Sequence, residues 1–411
     1  MFGDLAKRPS FFNLRECSSI TNKEETQSKK KRKLTSVVEH VQHFHTSKKT
    51  KTTPHPHPLP TTTSLRPWVF NSRHNCSHLQ DNIVIVSYNI LGVENAKKHP
   101  HLYNNFSQQY LNWERRKLRI RNELNSYNAS ILCLQASFSH TVYLSLVLNE
   151  VDRFDDLAKI LKIDGFTGIY KARTGEACDG CAIFWREELF TLVHQESIEF
   201  RNFDLRDNVA QFCVLKMESN YSNKVAKGLT SRSRNLLIGN IHALFNPKRG
   251  DIKIGQSAIY KFLASSELNL QRHDRRQLSV RIEAQSRWNT FRAHTKMANR
   301  WNEEELQLAA GRIGVTHLKH HLQLYSAYVG VPGSSSTRDR YGEPLATSYH
   351  SLFLGTSDYI WHSKELVPVG VVDTLSITNL RKTRGLPSEE WGSDHLALVC
   401  KLAFADDNNG T

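Results

Sequence analysis

Ile131-Leu132-Cys133-Leu134-Gln135 and Glu150-Val151-Asp152-Arg153-Phe154 decide the fold between them. The first is a short apolar run with a polar end. The second reads as the acidic turn that follows such a strand. Joined directly, they give ILCLQEVDRF, a buried strand ending in a carboxylate. Fourteen residues, 136–149 (ASFSHTVYLSLVLN), separate them. A carboxylate at the end of a central strand is a natural ligand for a hard divalent cation such as magnesium. Glu150 is thus the residue around which the other polar groups take their meaning.

Upstream, Ile83–Ser87 is apolar and β-branched, a buried strand that runs into Tyr88-Asn89-Ile90-Leu91. Gln109–Tyr127 carries Trp113, Ile120, Leu124 and Tyr127 on one face, with charges between, and predicts an amphipathic helix. Strand, helix, strand is the start of an α/β layered domain. Downstream, 155–163 predicts a helix. Four β segments follow, at 165–171, 181–185, 209–217 and 235–241, with turn chemistry between them. That spacing suggests antiparallel sheet rather than repeated βαβ units. Residues 257–268 form a short amphipathic pattern, and 279–311 is charged and helix-compatible with sparse apolar positions. Strands return near 349–354, 359–361, 367–372 and 396–402. No internal repeat is present, and no leucine-rich array.

The 411 residues allow one large α/β domain plus a tail. Residues 1–80 are rich in Ser, Thr, Lys, His and Pro and read as a mostly disordered basic tail. Pro54–Pro60 (PHPHPLP) is a polyproline-like linker. The tail holds fourteen Lys/Arg against five Asp/Glu, so most of the formal charge of +15 sits there. A basic chain suits a polyanionic partner such as nucleic acid. Within the tail, Lys29-Lys30-Lys31-Arg32-Lys33 is a compact cluster of the kind that importins or nucleic acids bind. Met1–Ser10 lacks the apolar core of a signal peptide, and no apolar run approaches the roughly 20 residues of a membrane span. The seven cysteines are scattered and odd in number, which points to a reducing compartment. Cys178-Asp179-Gly180-Cys181 is a lone CxxC, and reads as a turn before the next strand rather than as a zinc site.

Four polar groups fall at predicted strand ends: Asn89, His242 in Asn240-Ile241-His242, Asp358 in Thr356-Ser357-Asp358, and His395 in Ser393-Asp394-His395. Singly each is weak, since a strand-end Asn is commonly a turn former. As a set they suit phosphodiester cleavage. That reaction needs a cation to polarise the phosphoryl oxygen, a base to activate water and donors to steady developing charge. Glu150 and Asn89 would serve the metal. Asp394 or Asp358 beside His395 would orient and charge the imidazole as general base. His242 would donate to the phosphate.

VSYNILG, HPHLY, LNWERRKLRI, ILCLQ…EVDRFDDL, GFTGIYKARTGEACDGCAIFWR, LRDNVAQFCVLKM, NIHALFNPKRGDIKIGQ, SDYIWHS and WGSDHLALVCKL together resemble the endonuclease/exonuclease/phosphatase superfamily. More closely they resemble the plant carbon catabolite repressor protein 4 homologs, and within these the homolog 6 branch. The resemblance covers about residues 83–402. It implies a four-layer α-β-β-α sandwich over residues 82–405. It implies magnesium-dependent 3′–5′ removal of poly(A) tails from mRNA, releasing 5′-AMP, in nucleus and cytoplasm. Poly(A) RNA and the carbon catabolite repressor–Not deadenylation complex would be the partners. By motif match, Asn89 and Glu150 would bind or support magnesium, and His242 and Asp358 would contact the scissile phosphate. His395, paired with Asp394, would be the base. Pro247 and Phe353 would sandwich the terminal adenine, since an apolar clamp reads a base face without fixing a charge.

Two departures stand out. The insert 136–149 splits the strand from its glutamate. A deletion at 256/257 removes the Asp-x-Asn strand end that relatives carry before the helix at Ser257. Flanked by intact motifs, these are the marks of an aberrant or alternative transcript. They leave two main readings: a deadenylase of impaired rate, or a non-catalytic RNA- or partner-binding remnant. The missing Asp-x-Asn discriminates between them. Other superfamily activities on inositol phosphates, sphingomyelin or damaged DNA fit the NPKRGD and DGCAIFWR stretches less well.

Overall fold

The computed structural model describes residues 66–72, 82–136, 153–175, 179–203, 207–218, 234–242, 258–273, 303–310 and 312–405. All of them lie within the unit Pro60–Thr411. In chain order the elements are β1 (Trp68–Phe70), β2 (Ile83–Asn89), α1 (Val93–Lys98), α2 (Trp113–Ser126), β3 (Ile131–Ala136), α3 (Arg153–Ile163), β4 (Phe166–Ala172), β5 (Gly180–Arg186), β6 (Phe190–Glu199), β7 (Val209–Met217) and β8 (Asn235–Ile241). Then come α4 (Ala258–Ser265), β9 (Glu267–Asn269), α5 (Glu303–Ala310), β10 (His317–Lys319), β11 (Leu324–Ser326), β12 (Ser348–His350), β13 (Phe353–Gly355), β14 (Trp361–Ser363), β15 (Leu366–Val372), α6 (Ile377–Lys382) and β16 (Leu398–Phe404).

The larger sheet has seven strands in the order β1-β15-β16-β2-β3-β5-β4. Only β2 and β3 run parallel, with Asn89 opposite Gln135. The strand-helix-strand unit forces this, because a parallel pair needs a crossover, here α2. One face of the sheet packs under α2 and α3: Val86, Tyr88, Leu132, Leu134, Phe184 and Val399 meet Ile120, Leu124, Leu157 and Leu161. The other face meets a second layer. Ile85, Ile131, Cys133, Ile183 and Cys400 pack against Cys213, Leu215, Leu236 and Ile238. Each buried aliphatic side chain contributes about 1.5–3 kcal/mol. That second layer consists of β6-β7-β8 and the antiparallel pair β11–β14. No ladder joins β8 to β11 among the described residues, and the 256/257 junction lies outside them. Tyr260 of α4 sits 5.1 Å, ring to ring, from both Tyr359 and Trp361 and places a helix outside this layer. The architecture is α-β-β-α, as expected.

Three local readings change. Residues 66–71 belong to the domain, not to the tail. Trp68–Phe70 pairs with β15, and Arg66 is buried, donating to the Tyr127 hydroxyl (2.7 Å) and the Ala397 carbonyl (2.6 Å). The partners that make this stretch structural lie 61 to 331 residues away, so local composition hides them. The helix expected at 109–127 begins at Trp113, after a 3₁₀ turn over Gln108–Leu111, because Asn112 caps it by accepting from the Arg115 amide. The single strand expected at 349–354 is a hairpin, β12 and β13, with His350 opposite Phe353. Lys29–Lys33, residues 137–149 of the insert 136–149 and most of 279–311 lie outside the described residues; Ala136 ends β3.

Candidate active site

The ends of β2, β8 and the 356–358 and 393–395 segments converge. Arg116, fully buried on α2, fastens two of these. Its Nε donates to the Gly392 carbonyl at 2.7 Å, and its Nη2 donates to the carbonyls of Ile90 and Leu91. The Ser393 hydroxyl donates to the Asn89 carbonyl at 2.6 Å. The Asn89 side-chain oxygen accepts from the Leu91 amide at 3.2 Å. One cation thus holds the turn after β2 against the loop before β16.

His395 and Asp358 form a pair, with Nδ1 2.8 Å from Oδ2. The same oxygen accepts from Thr347 Oγ1 at 2.6 Å and Ser357 Oγ at 3.0 Å. Thr347 Oγ1 in turn accepts from the Ser357 and Asp358 amides. Burial works to raise the Asp358 carboxyl, but His395, Thr347 and Ser357 hold it below the usual carboxylate range. Burial likewise opposes charge on His395, yet Asp358 and Asp394 outweigh it and push the imidazole up to about 9.

Of the two carboxylates expected beside His395, Asp358 makes the hydrogen bond, whereas the resemblance pairs the ring with Asp394. Asp394 Oδ1 lies 4.0 Å from His395 Nε2, too far for a hydrogen bond. Its Oδ2 is taken by the Tyr103 hydroxyl at 2.8 Å. Asp358, named in the sequence as one of two carboxylates for His395 and by resemblance as a phosphate contact, is the one that reaches Nδ1.

His242 belongs to the same charge neighbourhood. Burial lowers its pKa, Asp179 opposes this, and Arg173, His395 and Asp358 act more weakly. Its Nδ1 stands 3.6 Å from Asp179 Oδ2. Asn240, two residues earlier, ties β8 to the large sheet: Nδ2 donates to the Leu134 and Ala182 carbonyls, 2.9 Å each, and Oδ1 accepts from Gln135 Nε2 at 2.7 Å.

Phe353 is 6% exposed. Its ring folds against His350, 5.9 Å between centroids, over Gly355, where a Cβ would meet the ring at 3.1 Å. It is covered here rather than presented as an open clamp wall. Pro247 and Glu150 lie outside the described residues. Sequence reasoning missed Thr347, Tyr103, Asp179 and Arg116. The motifs HPHLY, DGCAIFWR and LNWERRKLRI contain three of these, but nothing local says that they meet here.

The oxygen-rich groups Asn89 and Asp394 suit a hard cation. Among the described residues no three His, Cys, Asp or Glu side chains cluster as a metal site. Of the expected magnesium pair, only Asn89 is described.

No protein-family model matches the chain. It is 50% identical over 384 residues to carbon catabolite repressor protein 4 homolog 5 of Arabidopsis thaliana, across 83% of this chain and 81% of that protein. Homolog 6 of the same plant is 24% identical over 579 residues, across 79% and 75%. The nearer likeness is therefore to homolog 5, not to the homolog 6 branch. A solved structure of ANGEL2, a 2′,3′-cyclic phosphatase, in complex with adenosine-2′,3′-vanadate, superposes with a TM-score of 0.60 and 24% identity over 82% of this chain and 98% of that one. It shares the fold. With half of its residues matched across four-fifths of both chains, the protein belongs to the carbon catabolite repressor protein 4 homologs, hydrolases of the endonuclease/exonuclease/phosphatase superfamily that act on phosphodiester or phosphate substrates.

Proposed function

We propose that the chain is a magnesium-dependent 3′–5′ exoribonuclease of poly(A) tails that works at reduced rate. The observation that carries the reading is the His395–Asp358 pair at 2.8 Å, in one charge neighbourhood with His242. In this reading His395 Nε2 takes a proton from water, which attacks the terminal phosphorus. Asp358 holds the imidazolium that forms. His242 donates to a phosphoryl oxygen, and the bond to the penultimate 3′ oxygen breaks; that oxygen keeps the electron pair and is protonated by solvent, leaving a new 3′-hydroxyl and free 5′-AMP. Magnesium held by Asn89 and Glu150 would polarise the phosphoryl oxygen. Pro247 and Phe353, after the Phe353 ring moves, would bracket the terminal adenine. Poly(A) RNA is the substrate, the deadenylation complex a partner, and nucleus and cytoplasm the compartments, with Lys29–Lys33 favouring nuclear entry.

A second reading has support in the sequence: without the Asp-x-Asn strand end the chain binds RNA or a protein partner but does not cut. The assay that separates them measures 5′-AMP release from a 3′-oligo(A) RNA with magnesium. It compares this chain, a chain lacking 136–149 with the missing segment restored, and the repaired chain with Glu150→Ala. Losing one preorganised group costs about a hundred- to a thousandfold, so this chain should run at least about a thousandfold below the repaired one. Equal rates would refute the impairment. Full activity in the Glu150 variant would remove that residue from the site. Adenosine 2′,3′-cyclic phosphate, offered as a competing substrate, tests the activity named for ANGEL2. Its turnover without oligo(A) cleavage would replace the deadenylase reading.

A further inference from the structure

The DGCAIFWR and LRDN stretches have no role in the mechanism above, yet Asp179, which opens the first, and Asn208, which ends the second, lie beside His242. Asp179 directly precedes β5, and Arg173 directly follows β4. The Arg173 amide donates to the Asp179 carbonyl at 2.8 Å, and its Nη1 donates to Asp179 Oδ2 at 2.7 Å. The tip of this β4–β5 hairpin is pinned a second time. Arg173 Nε and the Thr174 amide donate to the Asp207 carbonyl, at 3.2 and 3.1 Å, and Thr174 Oγ1 donates to Asp207 Oδ1 at 2.9 Å. Gly175, at φ +70°, leaves room for that carboxylate; a Cβ there would meet it at 2.8 Å. The next residue, Asn208, donates from Nδ2 to the His242 carbonyl at 2.7 Å. One two-residue segment therefore holds both the hairpin tip and the histidine backbone.

We infer that Asp179 is the positioning residue of His242, locked by Arg173, and sets which imidazole nitrogen faces the phosphate. The inference rests on the reading of His242 as a phosphate donor. His242 Nδ1 is buried and has no hydrogen-bond partner among the described residues, and Asp179 Oδ2 is the acceptor 3.6 Å away. Such contacts are often long in an empty site and tighten when it fills. With Nδ1–H directed at Asp179, Nε2 is left for the ligand. Burial disfavours the imidazolium, and the Asp179 charge offsets this. When an anionic phosphate arrives, Nε2 takes up a proton and donates it in a charge-assisted hydrogen bond. The charged groups around His242 are Asp179 and Arg173 on the hairpin side and His395 and Asp358 on the other. Asp179 is the carboxylate on the hairpin side.

The test uses full-length protein with ¹⁵N-labelled histidine, His242 being assigned with His242→Gln. The probe is 5′-AMP. Wild type should show Nδ1-protonated imidazole at pH 7 and imidazolium at saturating 5′-AMP. Asp179→Asn should abolish the AMP-induced protonation and weaken AMP on the order of tenfold, the equivalent of about one pKa unit. Asp179→Glu should restore part of both. Arg173→Gln, which frees the carboxylate, should broaden the His242 signal. An unchanged His242 signature in a folded Asp179→Asn protein would overturn the inference. This readout needs no turnover, so loss of the deadenylase reading and loss of the Asp179 role are separate results.

Discussion

The two walls of the site are built differently. The wall of His395 and Asp358 draws on both layers: His395 leads into β16 of the seven-stranded sheet and Asp358 into β14, paired with β11. Behind it lie a fully buried Arg116, a buried Tyr103 and the Thr347 hydroxyl, each making at least one short hydrogen bond. The wall of His242 stands on a three-stranded sheet and a hairpin tip. Among the described residues its imidazole pairs with one carboxylate, Asp179, whose Oδ2 is 3.6 Å from Nδ1. Burial opposes charge on both rings. Close carboxylates reverse the outcome on the first wall and only soften it on the second. The surroundings thus favour the proton on His395 and disfavour it on His242, so a base at His395 would act from its neutral fraction, which grows as pH rises toward about 9.

The largest test of that contrast is kinetic. A general base contributes about 10²–10⁴-fold, while one phosphate donor contributes about 10²–10³. His395→Ala and Asp358→Asn should each lower kcat for 5′-AMP release toward the lower end of rates that remain measurable in the repaired chain. His242→Ala should cost less in kcat and more in KM, because the ground-state phosphate already feels it. A smaller loss in Asp358→Asn than in Asp394→Asn would return the orienting role to Asp394.

A second test is pH. An unfolded histidine titrates near about 6.5, and His395 is raised to about 9 in the folded chain. Its contribution is therefore fully present below about pH 6.5 and is lost as pH rises through about 9, a swing of about 3 kcal/mol without magnesium. His242 has the opposite sign, since its lowered value disfavours the fold as pH falls below about 6.5. Urea unfolding of wild type, Asp358→Asn and His242→Gln across pH 5.5–9.5 should show the high-pH loss vanish in the first variant and the low-pH loss shrink in the second. Parallel curves would mean that neither ring carries its shift in solution.

The long strands of both layers were legible because they are apolar runs: 209–217 and 235–241 match β7 and β8 of the three-stranded sheet residue for residue, and 131–135 lacks only Ala136 of β3 in the large one. Strand ends were legible because Asn, His and Asp stop those runs, which is how Asn89, His242, Asp358 and His395 came into view. Partner choice was not. Nothing local says that His395 Nδ1 meets a carboxylate 37 residues away rather than the adjacent Asp394. Arg66 was lost in a polar tail for the same reason, its partners Tyr127 and Ala397 being distant in the chain. Short strands such as β12 and β13 fail for another reason: three residues carry too little period to separate a hairpin from one strand.

The smallest expected effect falls on the joint between the walls. Asn240 bridges β8 to β3 and β5 with all of its side-chain hydrogen bonds inside the protein. In Asn240→Leu the Leu134 and Ala182 carbonyls lose those donors and Gln135 Nε2 loses this acceptor. Leaving a buried polar group unsatisfied costs about 1–3 kcal/mol, and the carbonyls keep their second lone pairs for the ladder, so about 2 kcal/mol is the expected loss in urea unfolding. The kinetic effect should exceed the thermodynamic one. His242 lies two residues beyond the joint, and a shift of about 1 Å in a positioned group can cost about a hundredfold. Asn240→Leu should therefore resemble His242→Ala in KM while leaving the Asp358-dependent pH swing of stability intact. If instead it lowers kcat as far as His395→Ala does, the two walls move as one body, and the contrast between them belongs to the empty site alone.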